Sequence, residues 1–370
     1  VSVKSVPYSA YIEGGIGYVK LRSFTRNCSK DIKNAIEELK AEGELKGLIL
    51  DLRSNPGGLL NESVEIVNLF VEKGEKIVST KGKIKSWEKS YIASNKPLDT
   101  DVPLVVLINS SSASASEIVS GAIQDLDRGV VIGQRSYGKG LVQQTRKLSY
   151  NSQLKLTVAK YYIPSGRCIQ ALDYSSRNED GSVGKVPDSL IIAFQTKNGR
   201  KVFDGGGINP DIITEIGTVS NIVVSLFREH LFFDYVTDFR FEHDTIPENF
   251  IFSDDEYKHF EHYLSDKEYT YKTKTEEALE KVKKKAIDEN YFEALSEEYE
   301  NLLAELKTNK GDDLFTNKQD IKEILTGEIA SRYFYQEGRI KSALNFDSEL
   351  KKAIEVLQNQ AEYNNILGNE

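Results

Sequence analysis

A regular alternation of strand-like and helix-like segments runs from Gly15 to about Ile212 and leaves few folds open. Continuous apolar segments such as GLILDLR and LVVLINS are typical of strands that are buried on both faces of a parallel sheet. Segments between them, such as LLNESVEIVNLFVEKG and SSASASEIVSGAIQDL, carry apolar residues at helical spacing. The pattern predicts an α/β domain over residues 15–215 with a largely parallel sheet, in which sites lie at the carboxyl ends of strands.

The sequence changes character beyond about residue 216, where it becomes charged, amphipathic and helical. One apolar stripe at helical spacing consists of Phe292, Leu295, Tyr299, Leu302, Leu303 and Leu306. We expect residues 216–370 to form a mainly helical accessory domain. A partner-binding role, including homo-oligomerisation through this region, is the alternative.

Composition excludes several function classes. The 370 residues carry a formal charge of -9, which argues against a nucleic-acid partner because phosphate binding depends on clustered Lys and Arg. The apolar run VPLVVLI is too short to span a bilayer. Cys28 and Cys168 lack the spacing of a metal or redox site, although a single disulfide between them stays open.

The chain begins at Val1 and contains no methionine. A complete translated product would begin with methionine, so we expect a fragment or a processed form. Residues 1–14 are then the remnant of a connection from a preceding region.

The stretch GQRSYGKG, residues 133–140, is close to the phosphate-binding loop of nucleotide hydrolases. Such a loop needs Ser or Thr after its lysine and a helix that begins there, whereas Gly140 follows Lys139 and the next segments alternate like strands. The sequence therefore does not predict a nucleotide site, and Lys139 requires another explanation.

The segment SSASASE, residues 111–117, joins a strand to a helix and favours a serine nucleophile. Ser114 can expose its hydroxyl there while amides at the helix N-terminus face a developing negative charge. The alternative is helix capping, since Ser114 and Glu117 also form a capping box. All four histidines lie beyond residue 229, so a base within the α/β region has to be a carboxylate, a tyrosine or a lysine.

Two further motifs accompany the serine. The turn SNPGG leaves backbone amides unshielded, although it is also a plain tight turn. In GKG, apolar neighbours in sequence predict an enclosed Lys139, and burial would lower its pKa from about 10.4 toward neutrality. Gln143 lies four residues on and could orient the amine, although an exposed strand face is the alternative for both residues.

Taken together, these motifs resemble the carboxyl-terminal processing peptidases, or tail-specific proteases. The matching segments fall in order over residues 15–212: GIGYVKLRSF, LILDLRSNPGG, VLINSSSASASEI, GAIQDLDRGVVIGQRSYGKGLVQ, LTVAKYYIPSGRCIQ and GGGINPDI. The resemblance implies a crotonase-like, ClpP-like α/β fold and a Ser/Lys dyad, with no metal or organic cofactor.

The resemblance also assigns roles to individual residues. By this resemblance, Ser114 corresponds to the nucleophile, Lys139 to the general base and Gln143 to the residue that positions the lysine. The amides of Gly58 and Ala115 correspond to the oxyanion hole. The substrates that it implies are proteins cut near an exposed C-terminal tail.

The sequence departs from the family in its first residues. Members usually carry a PDZ domain just before the GIGYVKL strand, and this sequence starts too late to include one. The family acts in the periplasm or cell envelope, which implies an export signal ahead of this sequence. A scaffold that binds peptide tails without cutting them is the alternative function.

Overall fold

The computed structural model describes residues 3–177, 179–215, 217, 219–269 and 271–368. The strands are β1 (Tyr8–Ile12), β2 (Ile16–Lys20), β3 (Gly47–Asp51), β4 (Lys76–Lys81), β5 (Lys89–Ile92), β6 (Leu104–Ile108), β7 (Val130–Gly133), β8 (Leu141–Lys147), β9 (Gln153–Tyr162), β10 (Leu172–Arg177), β11 (Val183–Lys185), β12 (Ala193–Gln195), β13 (Lys201–Phe203) and β14 (Ile212–Ile213). The helices are α1 (Cys28–Glu42), α2 (Leu60–Asn68), α3 (Ala115–Asp125), α4 (Asn221–Arg228), α5 (Leu231–Glu242), α6 (Asp254–Ser265), α7 (Lys274–Asp288), α8 (Phe292–Gly311), α9 (Asp313–Thr316), α10 (Lys318–Leu344), α11 (Ser348–Gln358) and α12 (Gln360–Ile366).

The predicted parallel sheet is confirmed. Its strand order is β1-β2-β3-β6-β7-β14, and every neighbouring pair after β1-β2 is parallel. Strands β3 and β6 are buried along their whole length, as their uninterrupted apolar sequences predict. Helices α1, α2 and α3 contribute apolar side chains to the same core.

A second sheet of four antiparallel strands has the order β5-β4-β9-β8. Strand β8 follows the GKG motif directly, so the strand predicted after Lys139 is confirmed and the helix of a nucleotide-binding loop is not formed. Because β8 pairs only with β9 in the described chain, it is an edge of this sheet.

The chain forms two units, one of Val1–Ile216 with Ser348–Glu370 and one of Gly217–Asp347. The predicted helical domain of residues 216–370 differs from this division at its end, because α11 and α12 belong to the first unit. Glu349 accepts a hydrogen bond from Arg53 at 2.7 Å, and the Tyr363 hydroxyl accepts one from the Leu104 amide at 2.9 Å. Sequence periodicity cannot reveal such long-range contacts.

The second unit is helical, as predicted, and has an apolar core of its own. Aromatic and aliphatic side chains from α4, α5, α6 and α10 form that core, including Leu226, Phe232, Phe260 and Leu325. In the described part of the chain, no helix combines the length and apolarity that crossing a bilayer requires. Cys28 and Cys168 are both free thiols, so the disulfide left open by the sequence is not formed.

Candidate active site

Three loops that leave adjacent parallel strands meet at one edge of the large sheet. The NPGG turn follows β3, the SASAS run follows β6, and the GKG motif follows β7. These strands are neighbours in the sheet, so their carboxyl ends lie side by side. The topology therefore gathers the motifs that the sequence places far apart.

Ser114 is the N-cap residue of α3 and lies partly exposed between the three loops. Its backbone has φ 57° and ψ -112°, a region that costs a residue with a side chain about 1–3 kcal/mol. The Ser114 amide donates to Glu117 Oε2 at 2.8 Å, and the Glu117 amide donates to the Ser114 carbonyl oxygen at 2.9 Å. The capping and nucleophile interpretations are therefore compatible, because main-chain atoms of Ser114 make these bonds.

The NPGG turn packs directly against the nucleophile. A Cβ atom at Gly57 would lie 2.8 Å from Ser114 Cβ and 2.9 Å from the Ala115 nitrogen, which is closer than real side chains approach. Asn55 fixes the turn, since its Oδ1 accepts from the Gly57 amide at 2.9 Å and its Nδ2 donates to the Leu21 carbonyl at 2.9 Å. Glycine at position 57 is thus required by contact as well as by its φ of +95°.

The amide nitrogens of Gly58 and Ala115 are candidates for an oxyanion hole. Within the described residues, neither nitrogen donates a hydrogen bond to a protein oxygen. Gly58 is exposed, and Ala115 is the first residue of α3, where amides lack an intrahelical acceptor. Both positions offer a donor that is free to bind a ligand oxygen.

Lys139 is positioned by its main chain, whereas its side chain is exposed. Its amide donates to Glu117 Oε2 at 2.8 Å, the same oxygen that accepts from the Ser114 amide. Its ammonium group forms no hydrogen bond with a described residue. The structure therefore joins the backbones of Ser114 and Lys139, but the enclosed lysine that the sequence predicted is not found in this conformation.

Glu117 organises the contact between the lysine loop and the nucleophile. It is completely buried and accepts four hydrogen bonds, from Ser136 Oγ at 2.5 Å, the Gly138 amide at 2.6 Å, and the Lys139 and Ser114 amides at 2.8 Å each. Burial raises the pKa of its carboxyl group, and the four donors act in the opposite direction. Sequence analysis treated Glu117 only as a cap, because the loop donors are 19 to 22 residues away along the chain.

We expect Glu117→Gln to lower the free energy of unfolding of the first unit by about 2–4 kcal/mol, because the new amide group would face two buried donors. Denaturant unfolding followed by fluorescence of Trp87, the single tryptophan, measures the change. Glu62→Gln is the matched control, since Glu62 also accepts several donors but is only partly buried. Equal midpoints for the two variants would contradict a central role for Glu117.

Tyr161 is a site residue that sequence analysis missed. It is 3% exposed, its Oη lies 3.3 Å from Ser114 Oγ, and it donates to the Lys139 carbonyl oxygen. A phenol has one proton and a carbonyl can only accept, so the Tyr161 oxygen is left to accept from the Ser114 hydroxyl. Burial raises the pKa of Tyr161, which keeps it a neutral phenol. The hydroxyl of Ser114 is therefore held in place here without being activated.

Gln143 lies on β8 at a register shift with β9. Val142 is opposite Ala159 and Gln143 is opposite Thr157, so the extra residue of the bulge, Val158, belongs to β9. Val142 packs against the core cluster that contains Tyr161. Because side chains alternate along β8, Gln143 lies on the opposite face, away from Tyr161. Its side chain is exposed.

No group of three or more His, Cys, Asp and Glu side chains within the described ranges is arranged to hold a metal ion. The site instead consists of a serine, a lysine loop, unengaged amides and buried hydrogen bonds. That combination can support attack by a hydroxyl on a carbonyl carbon, with the negative charge received by the amides.

Comparisons with known proteins show which families this chain is similar to. Residues 15–176 match the model of peptidase family S41, and residues 222–357 match that of the probable PDZ-protease C-terminal helical domain. A carboxy-terminal-processing protease of Bartonella bacilliformis is 45% identical over 46% of this chain and 40% of its own length. A carboxyl-terminal-processing protease of Picosynechococcus is 42% identical over 48% of this chain and 39% of its own length.

Among solved structures, the photosystem II D1 C-terminal processing protease is 30% identical, with a TM-score of 0.42, over 56% of this chain and 45% of that one. The chain spans about two fifths of the length of the curated relatives named here. Residues 15–176 are therefore similar to peptidase family S41, and the curated relatives named above are carboxyl-terminal-processing proteases.

Proposed function

We propose that the protein is a serine endopeptidase that cuts protein substrates near their C-terminal tails through an acyl-enzyme intermediate. Ser114 is the nucleophile, Lys139 the general base, and Gln143 the residue that positions the lysine. The amides of Gly58 and Ala115 bind the oxyanion. The observation that carries the proposal is the meeting of Ser114, two unengaged amides and the lysine loop at one sheet edge.

The first chemical step is transfer of the Ser114 proton to an uncharged Lys139 amine while Oγ attacks the substrate carbonyl carbon. The tetrahedral oxyanion lies against the Gly58 and Ala115 amides, and collapse releases the amine half of the substrate with the proton from Lys139. Water then attacks the acyl carbonyl carbon while Lys139 takes its proton, the acyl–Oγ bond breaks, and the carboxylic half of the substrate is released. Lys139 returns the proton to Ser114 Oγ, which restores both side chains.

Lys139 has to move from solvent to Ser114 for this chemistry. Its main chain is already fixed by Glu117, so rotation about the flexible side chain supplies the movement. A bound polypeptide that covers the amine removes water from it, which favours the uncharged form. The Ser114 hydroxyl then exchanges Tyr161 for Lys139 as its acceptor.

The relatives named as processing proteases support protein tails as substrates. We place the protein in the periplasm or cell envelope, where the family that the motifs resemble acts. The alternative is a scaffold that binds tails at the same site without cleaving them.

The test is incubation with an unstructured protein that has an apolar C-terminal tail, in parallel with a fluorophosphonate that acylates activated serines. We expect tail fragments by mass spectrometry and a phosphonyl adduct on Ser114. A tail that binds but stays intact, together with an unmodified Ser114, would favour the scaffold and overturn the protease.

A further inference from the structure

The small antiparallel sheet has a charge opposite to that of the whole chain. Residues 76–92 and 141–162, which form this sheet and its connections, contain nine lysines and arginines but the single acid Glu88. The cations are Lys76, Lys81, Lys83, Lys85, Lys89, Arg146, Lys147, Lys155 and Lys160. In a protein with a formal charge of -9, so local an excess creates a positive field over one surface.

Two of these cations lie opposite each other in the sheet, where their like charges do not stabilise it. Lys81 of β4 and Lys160 of β9 are direct cross-strand partners, and like charges in that position destabilise a sheet. Lysines on edge strands discourage aggregation, but β4 and β9 are the two inner strands. The Lys81–Lys160 pair therefore requires another explanation, and an anionic ligand supplies one.

The pair lines an open, shallow cleft of about 550 Å³. Four lysines line it, namely Lys81, Lys83, Lys85 and Lys160, together with the apolar surfaces of Leu141 and Tyr162. Lys81 Nζ lies 4.9 Å from the centre of the Tyr162 ring. The acid of the cleft, Glu88, is 3.3 Å from Lys85, so the other three lysines keep a net positive charge.

The cleft is connected to the candidate active site through the same two strands. Leu141 is two residues beyond Lys139, and Tyr161 lies between two cleft residues, Lys160 and Tyr162. Because side chains alternate along β9, Tyr161 faces Ser114, whereas Lys160 and Tyr162 face the cleft. A polypeptide bound at the active site can therefore pass around the β8 edge and enter the cleft within a few residues.

We propose that this cleft binds an acidic segment of the polypeptide substrate, so that carboxylate-rich tails are selected for cleavage. The inference rests on the proposed peptidase function. Carboxylates match the lysines, and short apolar side chains match Leu141 and Tyr162. The apolar side chains that line the cleft and its connection to the site favour a peptide over the surface of an anionic membrane.

Binding is measured with the full chain carrying Ser114→Ala, so that the peptide is not consumed. Fluorescence anisotropy compares two labelled peptides of one sequence, one with a run of aspartates and one with asparagines in their place. We expect the acidic peptide to bind more tightly, with the difference shrinking as salt is added. Lys81→Gln with Lys160→Gln should weaken its binding about five- to tenfold.

Lys30→Gln with Lys46→Gln is the matched control, since it removes the same charge from exposed positions outside the cleft. It should leave the preference for the acidic peptide unchanged. The unfolding midpoint of the cleft variant should stay constant or rise, because a repulsive pair has been removed, and this separates lost binding from lost folding.

Equal affinity for both peptides, or equal loss in both double variants, would overturn the proposal. So would lysine-dependent binding to phosphatidylglycerol-containing vesicles without a preference for the acidic peptide, which would identify a membrane site. Cleavage of both peptides at equal rates by the active chain would refute this inference and keep the peptidase. Tight binding of the acidic peptide without cleavage would keep this inference and refute the peptidase.

Discussion

Ser114→Ala is expected to reduce cleavage of an unstructured protein tail by about 10⁴-fold or more, to the level of the uncatalysed reaction assisted by binding alone. The reason is that the other serine hydroxyls between α3, the NPGG turn and the lysine loop, those of Ser116 and Ser136, are buried and donate to Asn55 and Glu117. Tyr161, the nearest alternative, is a buried neutral phenol already bonded to the Lys139 carbonyl. Fragment formation resolved by mass spectrometry measures the loss.

The SASAS region offers an internal control for that variant. Ser111 is exposed and precedes α3, so Ser111→Ala should cleave at the normal rate. Both variants should unfold at the same denaturant concentration within about 0.5 kcal/mol. Residual activity in Ser114→Ala above about a hundredth of the parent rate would show that the nucleophile lies elsewhere.

Lys139→Arg is expected to be inactive as well, with a loss of about 10³-fold or more, although the positive charge is retained. A guanidinium group cannot release its proton at any pH at which the protein is folded, so it cannot accept one from Ser114. The rate should remain low even when pH is raised, whereas the parent should gain activity as the lysine loses its proton. A pH–rate profile from neutral to mildly alkaline conditions makes this comparison.

Lys147→Arg provides the matched control, because Lys147 is exposed on β8 and lies outside the site. It should leave the pH profile unchanged. If Lys139→Arg kept the parent's profile, lysine would not be the base, and the role of the loop would reduce to holding the nucleophile in place. Binding of tails should survive in both variants, because each keeps the positive charge of the residue that it replaces.

The sequence was most informative where a local pattern determines the structure. The apolar runs of β3 and β6 predicted the parallel sheet, and the SASAS and GKG motifs predicted which loops would meet at its edge. The strands that follow Gly140 also excluded a nucleotide-binding loop. In each case the deciding residues lie within a few positions of one another.

What the sequence missed depends on distant contacts or on conformation. In the sequence, Tyr161 is an ordinary aromatic residue of a strand, and only the packing of β9 places it beside Ser114. Glu117 is a helix cap in the sequence, and its contacts with the lysine loop form only in the folded chain. Apolar neighbours in sequence suggested an enclosed Lys139, but Val131 packs in the core and Leu141 lines the basic cleft, while the lysine side chain is exposed. The roles assigned to Ser114, Lys139, Gln143, Gly58 and Ala115 stay predictions until the variants are assayed.

The return of α11 and α12 to the first unit has a consequence for biosynthesis. Glu349 bonds to Arg53 beyond the end of β3 and to Thr214 beyond the end of β14, and Tyr363 bonds to the Leu104 amide at the start of β6. A ribosome therefore has to make all of the intervening helices before these partners exist. The nascent chain therefore completes its first unit only after the helices of the second unit have been made.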